Sequence, residues 1–182
     1  MNPLSYLDDI ISNPSPLEIE TANRTARSAG AVGGRAIVPR YVAEIAREGD
    51  DVLNFGAGLP DSQGSYLHSN IIRASGAKVW EYDFGRNTTA NKSVMNYAYD
   101  IVFASNVLNV QSSATMMRET LTQIFDRVKK GGVAVFNYPD SPRKSDMSAL
   151  EVADVISNVF NKKPQRVIGF GSASAPLWEV VL

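Results

Sequence analysis

The chain has 182 residues, of which 44% are hydrophobic and 20% charged, with a formal net charge of -1. That length suits one domain with a real core, and the balanced charge supplies no global positive field to attract nucleic acid. There is no cysteine and one histidine, His68, which excludes a disulfide scaffold and thiolate metal sites and argues against a histidine-built metal centre or a Ser-His-Asp hydrolase.

No metal is therefore expected, and a reducing, cytoplasmic setting is. The opening "MNPLSYLDDIISNPSP" carries two aspartates and no basic segment, so it does not read as a secretory signal. No apolar run approaches the length of a membrane span. Ser15-Pro16-Leu17-Glu18 reads as a helix start with a capping box. The glycine-rich "RSAGAVGGR" follows as a loop, and Ile37, Val38, Tyr41, Val42 and Ile45 recur at helical spacing. "DVLNF" is a short apolar strand ending in Gly56-Ala57-Gly58, and a helix is expected over about Ser65 to Ala74. "GAKVWEYDF" and "YDIVFASNVLNV" are the second and third strands. Met117, Leu121, Ile124, Phe125 and Val128 form a helical stripe, with Lys129 and Lys130 at its C-terminus and Gly131 as its stop. "GVAVFNY" is a fourth strand, Ser148 and Glu151 cap another helix, and the end of the chain reads as two strands joined by a turn.

Near-continuous apolar strands alternating with helices predict an α/β fold: a three-layer, Rossmann-like, doubly wound and mainly parallel sheet, closed by a C-terminal hairpin that adds one antiparallel strand. Residues 1–48 are expected to form a helical cap segment on a single domain spanning 49–182. In such sheets ligands sit at the carboxyl ends of the strands, where the Gly-x-Gly turn lies. Glycine there lets a ligand approach the backbone and tolerates positive φ, although a purely structural turn would use the same residues. The third glycine of a dinucleotide fingerprint is replaced by Asp61. A carboxylate at the helix entrance would repel a diphosphate, which leaves a nucleoside ligand without phosphates, such as S-adenosylmethionine. Asp83, at the tip of the second strand, has two carboxylate oxygens suited to the ribose diol. Glu81 is the competing carboxylate on the same side, further from the tip.

The run of "VLNFGAGLP", "GAKVWEYDF", "YDIVFASNVLNV" and "RVKKGGVAVFNYP" resembles class I S-adenosylmethionine-dependent methyltransferases over about Asp51 to Pro139. "VLNFGAG" is similar to that family's first motif, "DIVFASNVLNV" to its fourth-strand motif and "KKGGVAVF" to its fifth strand. The resemblance implies S-adenosylmethionine as methyl donor, with Phe55, Gly56, Ala57, Gly58, Asp83, Phe84 and Asn106 at the cofactor. Asn109 and Arg35 are candidates on the acceptor side. Asn54 stands where the family often has an acidic residue, Pro60 where it often has glycine, and "DSQGSYLHS" lengthens the first loop. "NYPD" follows the family's fifth strand rather than its fourth, so it is not read as an amino-methylation motif. Arg24, Arg27 and Arg35 could meet the cofactor's carboxylate or simply be solvated. Arg143 and Lys144 could touch an anionic substrate. The methyl acceptor and a general base are not legible, and His68 reads as a packing or surface residue. The alternatives are a non-catalytic Rossmann-like module binding a nucleoside or a partner, and an NAD-dependent oxidoreductase, which Asp61 disfavours.

Overall fold

Two periodicities build the molecule, and the computed structural model shows them over residues 15–28, 33–83, 92–138 and 145–182, with 23–28 described by backbone alone. Phe84, Pro139, Asp140, Arg143 and Lys144, and the side chains of Arg24 and Arg27, lie outside the described residues. Helix α1 spans Pro16–Ser28 and opens on the expected box: Glu18 N–H donates to Ser15 Oγ at 3.2 Å, and Ser15 N–H donates to the Glu18 carboxylate at 2.8 Å. Helix α2 is Ile37–Ile45, strand β1 Asp51–Phe55, helix α3 Leu67–Arg73 and strand β2 Lys78–Tyr82. Strand β3 is Tyr99–Ala104, helix α4 Ala114–Phe125 and strand β4 Val128–Asn137. Helix α5 is Ala149–Phe160, and β5 (Gln165–Gly171) and β6 (Pro176–Val181) close the chain.

The six strands lie in the order β2-β1-β3-β4-β6-β5. All run parallel except β6, which is antiparallel to both β4 and β5. Side chains alternate across this sheet with the strand period of two. On one face Val52, Val79, Ile101, Phe103, Val135 and Leu177 pack against Val38 and Val42 of α2 and Ile72 of α3. On the other, Leu53, Phe55, Val102, Ala104, Phe136 and Trp178 pack against Leu121 and Ile124 of α4 and Val152 and Ile156 of α5. The result is the expected three-layer α/β sandwich. Helix α1 packs at the end of one helical layer. Its Ala22 packs on Val110 and Met116, at the turn after β3 and the start of α4. The Ser113 hydroxyl donates to Glu18, and this bond, ahead of the Ser15 amide, holds the Glu18 carboxyl below its ordinary range.

Two elements differ from the periodic reading: β3 stops at Ala104, so the rest of "YDIVFASNVLNV" is not strand and Leu108–Val110 forms a 3-10 turn, and the junction of α4 with β4 falls earlier than expected. Helix α4 ends at Phe125, and Val128 already belongs to β4, so Lys129, Lys130 and Gly131 are strand residues rather than a helix end and its stop. Val128 pairs with Tyr99, and the ladder resumes only at Ile101 and Val133, across a bulge. Gly131 takes φ +82° there and donates its N–H to Leu182 O at 2.8 Å. Val128 is buried in either conformation, so its apolarity does not distinguish the last helical turn from the first strand residue. Among the described residues no helix is long and apolar enough to cross a membrane.

Candidate functional site

The chain leaves β1 toward β2 on one side and later places β3 on the other, so the topological switch point lies at the carboxyl end of β1. The Gly56-Ala57-Gly58 loop sits there, hung on the end of β2. Gly56 and Ala57 N–H groups both donate to Tyr82 O, at 2.8 and 3.0 Å. Gly58 N–H donates to Asp83 Oδ2 at 2.7 Å. Asp83 is only 5% exposed, so its charge is placed by the loop it anchors.

The two glycines are required for different reasons. Both have positive φ, +74° and +72°. A Cβ on Gly56 would lie 2.5 Å from Val107 Cγ2, so that glycine makes room for the turn after β3. A Cβ on Gly58 would meet nothing within 4 Å. Gly58 therefore bares backbone to open space, as a ligand-facing glycine does. Phe55 is buried, with its ring 5.3 Å from that of Tyr82, beneath the loop. Asp61 does not stand at the helix entrance as expected, because α3 begins only at Leu67. Its Oδ1 accepts the N–H groups of Gln63 and Ser65, both at 2.9 Å, and shapes a turn of its own.

The two carboxylates at the end of β2, Glu81 within it and Asp83 just past it, separate clearly. Glu81 is paired with Arg73 of α3 at 2.7 Å, while Asp83 reaches the glycine loop. Sequence reasoning missed two phenols that feel these charges, Tyr66 and Tyr82. Burial, then the charges of Glu81 and Asp83, raise the Tyr66 pKa above its usual value. Burial, then Asp83, does the same to Tyr82. Asn54, the departure in the first motif, is buried and donates to Ser69 Oγ at 3.1 Å, tying β1 to α3.

Asn106, just past β3, adopts φ +56°, a left-handed conformation uncommon outside glycine. Asn137, the last residue of neighbouring β4, holds it with two bonds. Asn106 N–H donates to Asn137 Oδ1 and Asn137 Nδ2 donates to Asn106 Oδ1, each at 2.8 Å. Asn137 was not among the sequence candidates. Its signal was a lone carboxamide closing the apolar run "GVAVFNY". Tyr138 ends the strand as expected, buried, with its hydroxyl donating to Met147 O at 2.6 Å. Asn109 lies buried in the 3-10 turn Leu108–Val110. Its Oδ1 has no hydrogen-bond partner among the described residues, nor do Ser105 Oγ, Gln111 Oε1 and His68 Nε2. Arg35 is exposed at the end of the turn Gly33–Arg35, next to α3. His68 is half-buried on α3. Burial pushes its pKa down, against a smaller opposite effect of its bond to the Gly33 backbone, so the ring is neutral at pH 7. No group of three or more acidic, histidine or cysteine residues able to hold a metal occurs among the described residues.

No family model and no curated protein matches the sequence. Solved structures do match its fold. The chain is similar to a TehB-like SAM-dependent methyltransferase from Corynebacterium glutamicum, at TM-score 0.57 and 16% identity over 91% of this chain and 98% of that one. It is similar to a SAM-dependent methyltransferase from Bacteroides fragilis solved with S-adenosyl-L-homocysteine, at TM-score 0.57 and 10% identity over 90% and 94%. It is also similar to the 1,6-didemethyltoxoflavin-N1-methyltransferase of Burkholderia thailandensis, solved with 1,6-didemethyltoxoflavin and S-adenosylhomocysteine, at TM-score 0.61 and 14% identity over 92% and 90%. The chain has the class I, Rossmann-like fold of these S-adenosylmethionine-dependent methyltransferases.

Proposed function

We propose that this protein transfers a methyl group from S-adenosylmethionine to an acceptor, with the cofactor lying across the carboxyl ends of β1, β2 and β3. The shared fold supports the reading, since relatives of that fold were solved with the demethylated product. The observation that carries it is how the loop's amides are used. The N–H groups of Gly56, Ala57 and Gly58 are all committed to Tyr82 and Asp83, and those of Gln63 and Ser65 to Asp61. A dinucleotide's pyrophosphate is held in part by backbone N–H groups at such a turn, and in this loop they are spent on carbonyl and carboxylate oxygens. The open space at Gly58 still admits a close, uncharged approach. The loop thus favours a nucleoside over a diphosphate.

When bound, S-adenosylmethionine supplies an already activated methyl on its sulfonium, so the chemistry belongs to the cofactor. The chain's task is to bind, orient and exclude water. Asp83 accepts from the ribose hydroxyls, Gly58 lets the nucleoside approach, and Phe55, Gly56, Ala57, Phe84 and Asn106 complete the cofactor side. Asn109 and Arg35 face the acceptor, and α1, packed on the turn after β3, is the part of the cap that covers the site. A cytoplasmic setting fits a chain without cysteine.

Titration calorimetry with S-adenosylmethionine, S-adenosylhomocysteine and NAD tests the reading. The first two are expected to bind and NAD is not. Tight NAD binding with none for the sulfonium compound would overturn it. Binding of both adenosyl compounds without transfer to any acceptor in a broad panel would favour the second reading, a nucleoside-binding module. The buried neutral Asn54, where the family often has an acidic residue, is the feature that favours that alternative.

A further inference from the structure

We propose that Asn137 is a positioning residue for cofactor binding, acting through the backbone of Asn106 and the side chain of Val107 on the Gly56–Gly58 loop. This rests on the proposed methyltransferase reading for its ligand, but not for its mechanical part. Three contacts in series carry it. The Asn137 carboxamide exchanges two 2.8 Å bonds with Asn106, one to its backbone N–H and one to its side-chain oxygen. Those bonds hold a non-glycine residue at φ +56°, a conformation that L-residues adopt only against a steric penalty. The next residue, Val107, packs against Gly56 so closely that a methyl group would not fit between them. Gly56 begins the loop whose other side is bonded to Tyr82 and Asp83. The loop is thus gripped from both flanks, by hydrogen bonds from β2 and by a side chain from the end of β3. The second grip is set from β4.

Asn137 is 6% exposed, and its carboxamide oxygen and nitrogen both bond to Asn106. The side-chain oxygen of Asn106 is likewise engaged by Asn137, so Asn106 contributes through the shape of its backbone rather than as a free carboxamide. Glycine adopts left-handed φ without help. If the clamp exists to hold that conformation, glycine at position 106 makes the clamp dispensable.

The test compares four proteins: wild type, Asn137→Ala, Asn106→Gly and the double variant. Two readouts are used, S-adenosylhomocysteine affinity by calorimetry and amide hydrogen exchange at Ala57 and Gly58 without ligand. Asn137→Ala is expected to weaken binding about tenfold, the equivalent of roughly 1.4 kcal/mol, and to speed exchange at both amides. The double variant is expected to regain most of the affinity and protection. Wild-type affinity and exchange in Asn137→Ala would overturn the proposal. So would failure of Asn106→Gly to restore either property, because that result would make Asn137 a general packing residue or a direct ligand contact. If wild type binds no S-adenosylhomocysteine, the functional reading falls, and the exchange measurements still decide the clamp. Should Asn137→Ala not fold, Asn137→Asp retains the acceptor for the Asn106 N–H and loses the donor. The same faster exchange, relieved by Asn106→Gly, is then required.

Discussion

The two edges of the sheet handle polar groups in opposite ways. At the amino edge, Lys129 Nζ lies 3.0 Å from Asp100 and 3.3 Å from Asp51, and the Asp51 N–H donates to Asp100 Oδ2 at 2.9 Å. All three side chains are roughly 40% exposed. Burial pushes the Asp100 carboxyl up, but the Asp51 amide and the Lys129 ammonium outweigh it and hold it below its ordinary value. At the carboxyl edge the groups are buried or half-buried, mostly uncharged and geometrically constrained: two positive-φ glycines, a reciprocal carboxamide pair and one 5%-exposed carboxylate. Water screens the first arrangement and is largely excluded from the second. Substitutions at the amino edge should therefore cost little, and those at the carboxyl edge should act on binding and stability sharply.

The largest expected effect is at Gly58. Gly58→Val should abolish S-adenosylhomocysteine binding, because a branched side chain would fill the open approach and resist φ +72°. Circular dichroism should show an intact fold, and undiminished binding would remove Gly58 from the site. Gly56→Ala should lower unfolding stability by about 2–4 kcal/mol, combining a left-handed alanine with overpacking against Val107. Gly58→Ala should lower it by about 1–2 kcal/mol, from backbone alone. Urea midpoints measure both, and equal losses would mean that the Val107 contact is not what requires Gly56.

Asp83→Ala should weaken cofactor binding by about 1.5–3 kcal/mol, the range for hydrogen bonds to a charged group. Glu81→Ala removes the same charge but only a bond to Arg73, and should do much less. Dissociation constants at matched salt decide between them, and a larger loss at Glu81 would reverse the assignment. A pH series tests His68. Its folded-state pKa lies below the ordinary value, so protons favour the unfolded chain. Its stabilising effect is full above about pH 6.5 and is lost as pH falls through the folded-state value. His68→Gln should flatten that part of the stability profile, and an unchanged slope would show that the histidine does not contribute. The smallest effect belongs to the amino edge. Lys129→Met should cost under about 1 kcal/mol, shrink further in high salt and leave cofactor affinity unchanged. A large loss there would end the contrast between the two edges.

Composition and periodicity were enough to specify much of this protein. "DVLNF" is β1 to the residue, both capping boxes formed where Ser15 and Ser148 announced them, and the final hairpin brought in the one antiparallel strand. These features are local: a cap or an apolar alternation is written in residues that touch one another within a turn or two. What tertiary structure alone decided are relations between distant segments. Val128 became a strand residue because Tyr99 was there to pair with it. Gly56 and Gly58 look alike in "FGAGLP", yet Val107, far along the chain, makes one a packing necessity and leaves the other open. Glu81 and Asp83 parted because Arg73 lay beside the first and Gly58 N–H beside the second. Asn137 was unremarked until β3 and β4 came side by side and set it against Asn106. A residue's chemistry is carried in its own atoms, but its hydrogen-bond partners and the space around it are set by whichever segments the fold brings next to it.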